Sequence, residues 1–242
     1  MADEKKYIRA IMGECRAALV PGRAAAMAKA IQRRLLACDE YRAASAIVVY
    51  SAIGNEVSTN AILADALAAG RPVFFPRVDR STDAIVARRV SRAEELEPGA
   101  FGILEPPESA EPLDPARFEK LLVCVPGVAF SAAGERIGRG GGHYDRLLAQ
   151  LGPDAIAVGL AYSFQILDRL PQSDTDRQLN FIVTESATHR ACEAQSPARP
   201  ARTEEVQPGG TNHLNRRNSA RADRGRRNRF LSGEIEAGRG RS

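Results

Sequence analysis

The chain has 242 residues, a hydrophobic fraction of 44%, no tryptophan and a formal charge of +4. That length suits one α/β domain with a mostly aliphatic core, and no apolar run approaches the roughly 18–20 residues that cross a bilayer. The charge is uneven: residues 187–242 hold twelve arginines against six acids, which leaves residues 1–186 at −2 and excludes a basic nucleic-acid-binding body.

Residues 3–19 read as a helix with an apolar stripe of Ile8, Ile11, Met12, Cys15 and Leu19. Its other face carries Lys5, Lys6, Arg9 and Arg16, which suits either solvent or an anionic ligand. Pro21-Gly22 ends this helix, and a second is expected over 23–38. The N-terminus lacks the apolar segment of a secretory leader. Cys15, Cys38, Cys124 and Cys192 have no metal-ligand spacing and read as free thiols of a reducing cytoplasm.

A short apolar strand follows at 46–51, then a loop at 52–57 and a helix capped by Ser58 or Thr59 that runs to Ala69. Strands are expected at 72–76 and 84–90, and a long Pro- and Gly-rich surface connection at 96–115. Further strands are expected at 120–126, 155–160 and 180–184, with a helix at 142–151 and a polar loop at 167–178. This alternation predicts a single three-layer α/β/α domain over 1–186 with a mostly parallel sheet. Ligands of such sheets gather beyond the strand C-terminal ends, which here means loops 52–57, 127–142 and 161–178. From 187 onward the pattern gives way to an Arg-rich tail, expected to be disordered, which suits RNA, an anionic surface or no role at all.

The most informative stretch is Gly134-Glu-Arg-Ile-Gly-Arg-Gly-Gly-Gly-His-Tyr-Asp-Arg146, between a buried strand and a helix. Gly138, Gly140, Gly141 and Gly142 permit positive φ and close approach of a ligand to the backbone. A helix N-terminus and the guanidinium groups of Arg136 and Arg139 then suit phosphate oxygens. The stretch is neither a Walker A motif nor a dinucleotide fingerprint, and glycine content alone also fits a flexible turn.

Arg136-Ile-Gly-Arg-Gly-Gly-Gly-His-Tyr-Asp-Arg146, preceded by Val125-Pro-Gly-Val-Ala-Phe130, resembles the signature of the 5-formyltetrahydrofolate cyclo-ligase family. Lys5-x-x-Ile8-Arg9, Glu56, Phe101-Gly-Ile-Leu-Glu-Pro106, Ala161-Tyr-Ser-Phe-Gln165, Leu170-Pro171, Asp176 and Thr184-Glu185 follow in the family's order, so the likeness spans about 3–186. Two positions depart from the pattern. Thr175 stands where His often precedes the second acid, and His143 stands where Tyr is common.

The resemblance implies ATP- and Mg²⁺-dependent conversion of 5-formyltetrahydrofolate to 5,10-methenyltetrahydrofolate, by a ligase expected to be a cytoplasmic monomer. It implies ATP contacts from Lys5, Lys6, Arg9 and the run Arg136, Ile137, Gly138, Arg139, Gly140, Gly141, Gly142, His143 and Tyr144. It implies folate contacts from Ser51, Glu56 and residues 140–144. Arg136 and Asp145 would be catalytic, with Asp145 and Asp176 as metal ligands. A helix N-terminal acid and a solvated loop acid are the plainer readings of those two carboxylates.

Overall fold

In the computed structural model of the chain, residues 1–191 are described apart from Arg80, Asp83, Ala100 and Phe101. Most of the Arg-rich tail, and the partners expected for it, therefore lie outside the described residues, as does the first residue of the Phe101–Pro106 motif.

Two long helices open the chain, α1 (Ala2–Ala17) and α2 (Pro21–Leu36). The second starts two residues before the expected Arg23, because Pro21 sits in its first turn, where the missing N–H costs no hydrogen bond. A short α3 (Asp39–Ala43) precedes β1 (Ala46–Val48), and α4 (Asn60–Ala68) connects β1 to β2 (Val73–Asp79). Strands β2 and β3 (Ala84–Val90) form an antiparallel hairpin, so β2 runs three residues beyond the expected Pro76. The connection at 96–115 carries a two-stranded ladder, β4 (Glu97–Pro98) with β5 (Leu104–Glu105).

The remaining strands of the main sheet are β6 (Leu121–Val125), β9 (Ile156–Leu160), β11 (Phe181–Val183) and β12 (Thr188–Arg190). The sheet has seven strands in the order β12-β11-β9-β6-β1-β2-β3. Its five inner strands are parallel, and β3 and β12 close the two edges antiparallel. The β12 strand lies past residue 186, where regular structure was expected to stop. A smaller sheet of β7 (Ala129–Ser131), β8 (Arg136–Ile137) and β10 (Ile166–Leu167) grows from the connections expected to be loops.

The period of two along each strand divides the sheet between two cores. Ile47, Leu122, Cys124, Val158 and Phe181 pack against α2, α3 and α4 through Ile31, Leu35, Tyr41 and Ile62. Val48, Val123, Val125, Ala157 and Ile182 face the other side, covered by Phe130 and by Leu147 and Leu148 of α5 (His143–Leu151). Each such fully buried aliphatic side chain contributes about 1.5–3 kcal/mol. Helix α1 has no buried residue of its own and lays Ile8 and Met12 on Ala129 and Ile137 of the smaller sheet and on Leu170 after β10. Among the described residues no helix is long and apolar enough to cross a membrane.

Candidate active site

Parallel pairing of β1, β6 and β9 puts the segments that follow them on one edge of the sheet. Those segments line a cavity of about 1100 Å³. Ser51, Ile53 and Glu56 come from the segment after β1, residues 136–146 from the one after β6, and 174–177 from the one after β9. Pro76, Val78, Ile85 and Ile103 give the cavity an apolar wall, and Lys5 and Arg9 of α1 form its lid side.

Helix α1 is fixed across all three segments. Lys5 Nζ donates to Asp176 Oδ2 at 2.5 Å, and Arg9 Nε donates to the Gly138 carbonyl at 2.8 Å. At the other end, Asn55 Nδ2 donates to the Arg16 carbonyl at 3.0 Å. Lys5 and Arg9 thus stand four residues apart on the face turned to the cavity. Lys6, on the same basic face in sequence, is exposed and does not line the cavity.

The glycine stretch leaves β8 and enters α5. Gly140 and Gly142 have φ of 118° and 63°, a region that other residues enter only at a cost. Gly138 and Gly141 do not have positive φ; a side chain there would instead meet neighbouring side chains. A Cβ on Gly138 would stand 2.5 Å from Arg136 Nη1, and one on Gly141 would stand 2.7 Å from the His143 ring. Gly142 is the N-cap of α5, so the first turn of that helix, His143, Tyr144 and Asp145, opens on the cavity.

Arg136 is the most enclosed cation of the site, its side chain 4% exposed. Its Nη2 donates to both oxygens of Asp145 at 2.9 Å, and Nη1 reaches the Pro126 carbonyl at 3.4 Å. Its Nε is buried without a hydrogen-bond partner. Asp145 Oδ1 also accepts from the Arg177 amide at 3.1 Å. Asp176 Oδ2 accepts from the Ser173 amide at 2.8 Å in addition to Lys5. Burial alone would raise the Asp176 carboxyl, but the Lys5 ammonium and the Ser173 amide outweigh it and hold the group below its ordinary value.

Glu56 is nearly enclosed and is reached by Arg139 and by Arg16. Ser51 Oγ donates to the Leu104 carbonyl at 2.5 Å. Burial pushes the Tyr144 hydroxyl up, with the Glu56 charge acting in the same direction, so the phenol keeps its proton and remains a donor. Among the described residues no group of three or more His, Cys, Asp or Glu side chains could hold a metal ion. Asp145 and Asp176 face one cavity, but each already accepts from a cation.

The structure therefore gathers every expected site residue except Lys6. It also adds residues that sequence reasoning did not assign. The apolar wall comes from positions that read only as strand or connection. Glu105, in the motif after Gly102, is buried at the cavity wall and accepts from the Val78 amide at 3.4 Å. A carboxylate within an otherwise apolar motif was the available signal for it.

The family model described as the 5-formyltetrahydrofolate cyclo-ligase family matches residues 1–185. A probable 5-formyltetrahydrofolate cyclo-ligase of Caenorhabditis elegans is 29% identical, over 66% of this chain and 82% of its own length. The 5-formyltetrahydrofolate cyclo-ligase of Haemophilus influenzae is also 29% identical, over 72% of this chain and 94% of its own. The solved 5,10-methenyltetrahydrofolate synthetase of Aquifex aeolicus superposes with a TM-score of 0.69 at 29% identity, covering 83% of this chain and 99% of that one.

Proposed function

This chain belongs to the 5-formyltetrahydrofolate cyclo-ligase family, and on that premise we propose that it closes 5-formyltetrahydrofolate to 5,10-methenyltetrahydrofolate at the expense of ATP. The observation that carries the reading is a single cavity shared by a cation-flanked glycine loop and by Glu56, which arrives from a different strand end beside an apolar wall.

In the proposed reaction the formyl oxygen attacks the γ-phosphorus, and the bond from that phosphorus to the β,γ-bridging oxygen breaks to give ADP. The N10 lone pair then attacks the formyl carbon. The carbon–oxygen bond breaks, phosphate leaves, and the N10 proton is lost. Such chemistry needs in-line positioning and cancellation of negative charge more than covalent help.

The residues supply those demands. The Gly138–Gly142 backbone and the first turn of α5 offer amides to phosphate oxygens, with Lys5, Arg9 and Arg139 at the rim and Arg136 beneath. The unpartnered Arg136 Nε gives the deepest cation a donor still to satisfy. Glu56 accepts pterin N–H groups, with Ser51 beside it, while Ile53, Val78 and Ile85 flank the ring. Tyr144, which lines the same cavity, serves as a neutral donor, and His143 contacts phosphate or folate without an acid–base role.

Mg²⁺ would be held by the hard oxygens of Asp145 or Asp176 together with substrate phosphates, once the nucleotide draws Arg136 or Lys5 off the carboxylate. When bound, Mg²⁺ would neutralise charge on the transferring phosphoryl group. The free thiols of Cys15, Cys38 and Cys124 support a reducing, cytoplasmic location.

Incubating the full chain with 5-formyltetrahydrofolate, ATP and Mg²⁺ tests the reading by the appearance of methenyltetrahydrofolate absorbance. A signal that does not depend on ATP, or none at all, overturns it.

A further inference from the structure

Arg139 connects the two halves of the cavity. Its Nε and Nη2 donate to Glu56 Oε1 at 3.2 and 2.8 Å, so a side chain of the glycine loop occupies the carboxylate offered by the 52–57 loop. The two partners differ in freedom: the Glu56 side chain is 7% exposed and that of Arg139 is 52% exposed. Glu56 cannot follow a moving partner, because Oε2 accepts from the Ile53 amide at 2.9 Å. Arg139 stands between Gly138 and Gly140, neither of which has a side chain to hinder its swing.

We propose that Arg139 is a positioning residue that makes folate binding depend on nucleotide. Without a triphosphate it occupies Glu56 Oε1. With a triphosphate it turns to the phosphate oxygens and leaves Oε1 to the N–H donors of the pterin. The inference rests on the function proposed above for the glycine loop and for Glu56.

The electrostatics favour this direction. A triphosphate carries several negative charges and a guanidinium fits its oxygens in the same forked geometry as a carboxylate. Glu56 is not abandoned when Arg139 leaves, because Arg16 Nη1 stands 3.7 Å from the same oxygen. That second cation spares the enclosed carboxylate the cost of an uncompensated buried charge. By linkage the effect is reciprocal: bound folate competes for Glu56 and releases Arg139 toward nucleotide.

The test is calorimetric titration of the full chain with 5-formyltetrahydrofolate, with and without the saturating β,γ-imido analogue of ATP and Mg²⁺. It is run on wild type and on Arg139→Ala, with Tm followed for both. In wild type the analogue tightens folate binding, with an expected factor on the order of 5–150-fold. In Arg139→Ala folate binds without nucleotide about as tightly as it binds the nucleotide-loaded wild type, and the coupling is lost.

Equal coupling in the two proteins, or folate binding in wild type that ignores nucleotide, overturns the inference while leaving the proposed function standing. Weakened folate binding in both states of the variant, with a lower Tm, also overturns it, since that is the mark of a merely structural contact. No folate binding by wild type in either state overturns the proposed function itself.

Discussion

Arg136 Nη2 lies 2.9 Å from each oxygen of Asp145, and this pair joins the small strand β8 to the first turn of α5. The glycine stretch is the segment between those two anchors, so its shape depends on a bond that encloses both charges. The pair is at once a part of the proposed nucleotide site and a clamp on the loop that forms it.

Asp145→Ala is therefore expected to cost stability as well as turnover. It leaves the Arg136 guanidinium, 4% exposed, without its counter-charge, a change worth on the order of 3 kcal/mol. Asp145→Asn keeps an acceptor for Arg136 and should recover much of the stability but not the turnover. Urea melts and the absorbance assay on both variants check this; equal stability of Asp145→Ala and wild type would contradict it.

Gly138→Ala isolates the position of Arg136 from backbone strain, because Gly138 does not need positive φ. The added Cβ would meet Arg136 Nη1 at 2.5 Å, so the guanidinium must shift beside Asp145. The expected result is a loss in kcat/KM for ATP of about tenfold or more, equivalent to at least about 1.4 kcal/mol of transition-state stabilisation. Unchanged steady-state kinetics would show that the guanidinium has room to yield.

The Lys5–Asp176 pair predicts a pH signature. The folded carboxyl is held below its ordinary value, so the pair's stability is fully present above the unfolded Asp value of about 3.9 and is lost as pH falls through the lower folded value. Lys5→Met should destabilise the protein at pH 7 by about 1 kcal/mol, since both side chains are largely enclosed. The gap from wild type should close in strongly acidic solution. Denaturant melts of both proteins across pH measure it, and a gap constant with pH would rule out the ionic origin.

Two truncations should behave differently. Ending the chain at Ala191 keeps β12, whose Thr188 pairs with Val183 and whose Arg190 guanidinium lies over Phe181 and pairs with Glu40. Ending it at Ser186 removes that strand and bares the edge of β11. The first should keep wild-type turnover and Tm. The second should lower Tm, by roughly 2–4 °C for each kcal/mol lost. Thermal melts and the absorbance assay decide; equal Tm for the two would mean that β12 adds nothing.

The sequence by itself determined the layered fold and the chemistry available to the site. Val123 and Cys124, adjacent in one strand, belong to opposite cores, and an alternation that needs no knowledge of partners reveals such a strand. The glycine stretch was equally legible, because a helix start, paired arginines and an acid fall within a few residues. Tertiary structure alone decided β7, β8, β10 and β12, which lack the longer apolar run that marks a strand such as β1 and are held by their neighbours. It also decided that Lys6 stays outside the cavity while Lys5 meets Asp176, and that Arg139 rests on Glu56. Local periodicity records which residues are buried, whereas the partner of a charge is set by chain segments far apart in sequence that meet only when the sheet is assembled.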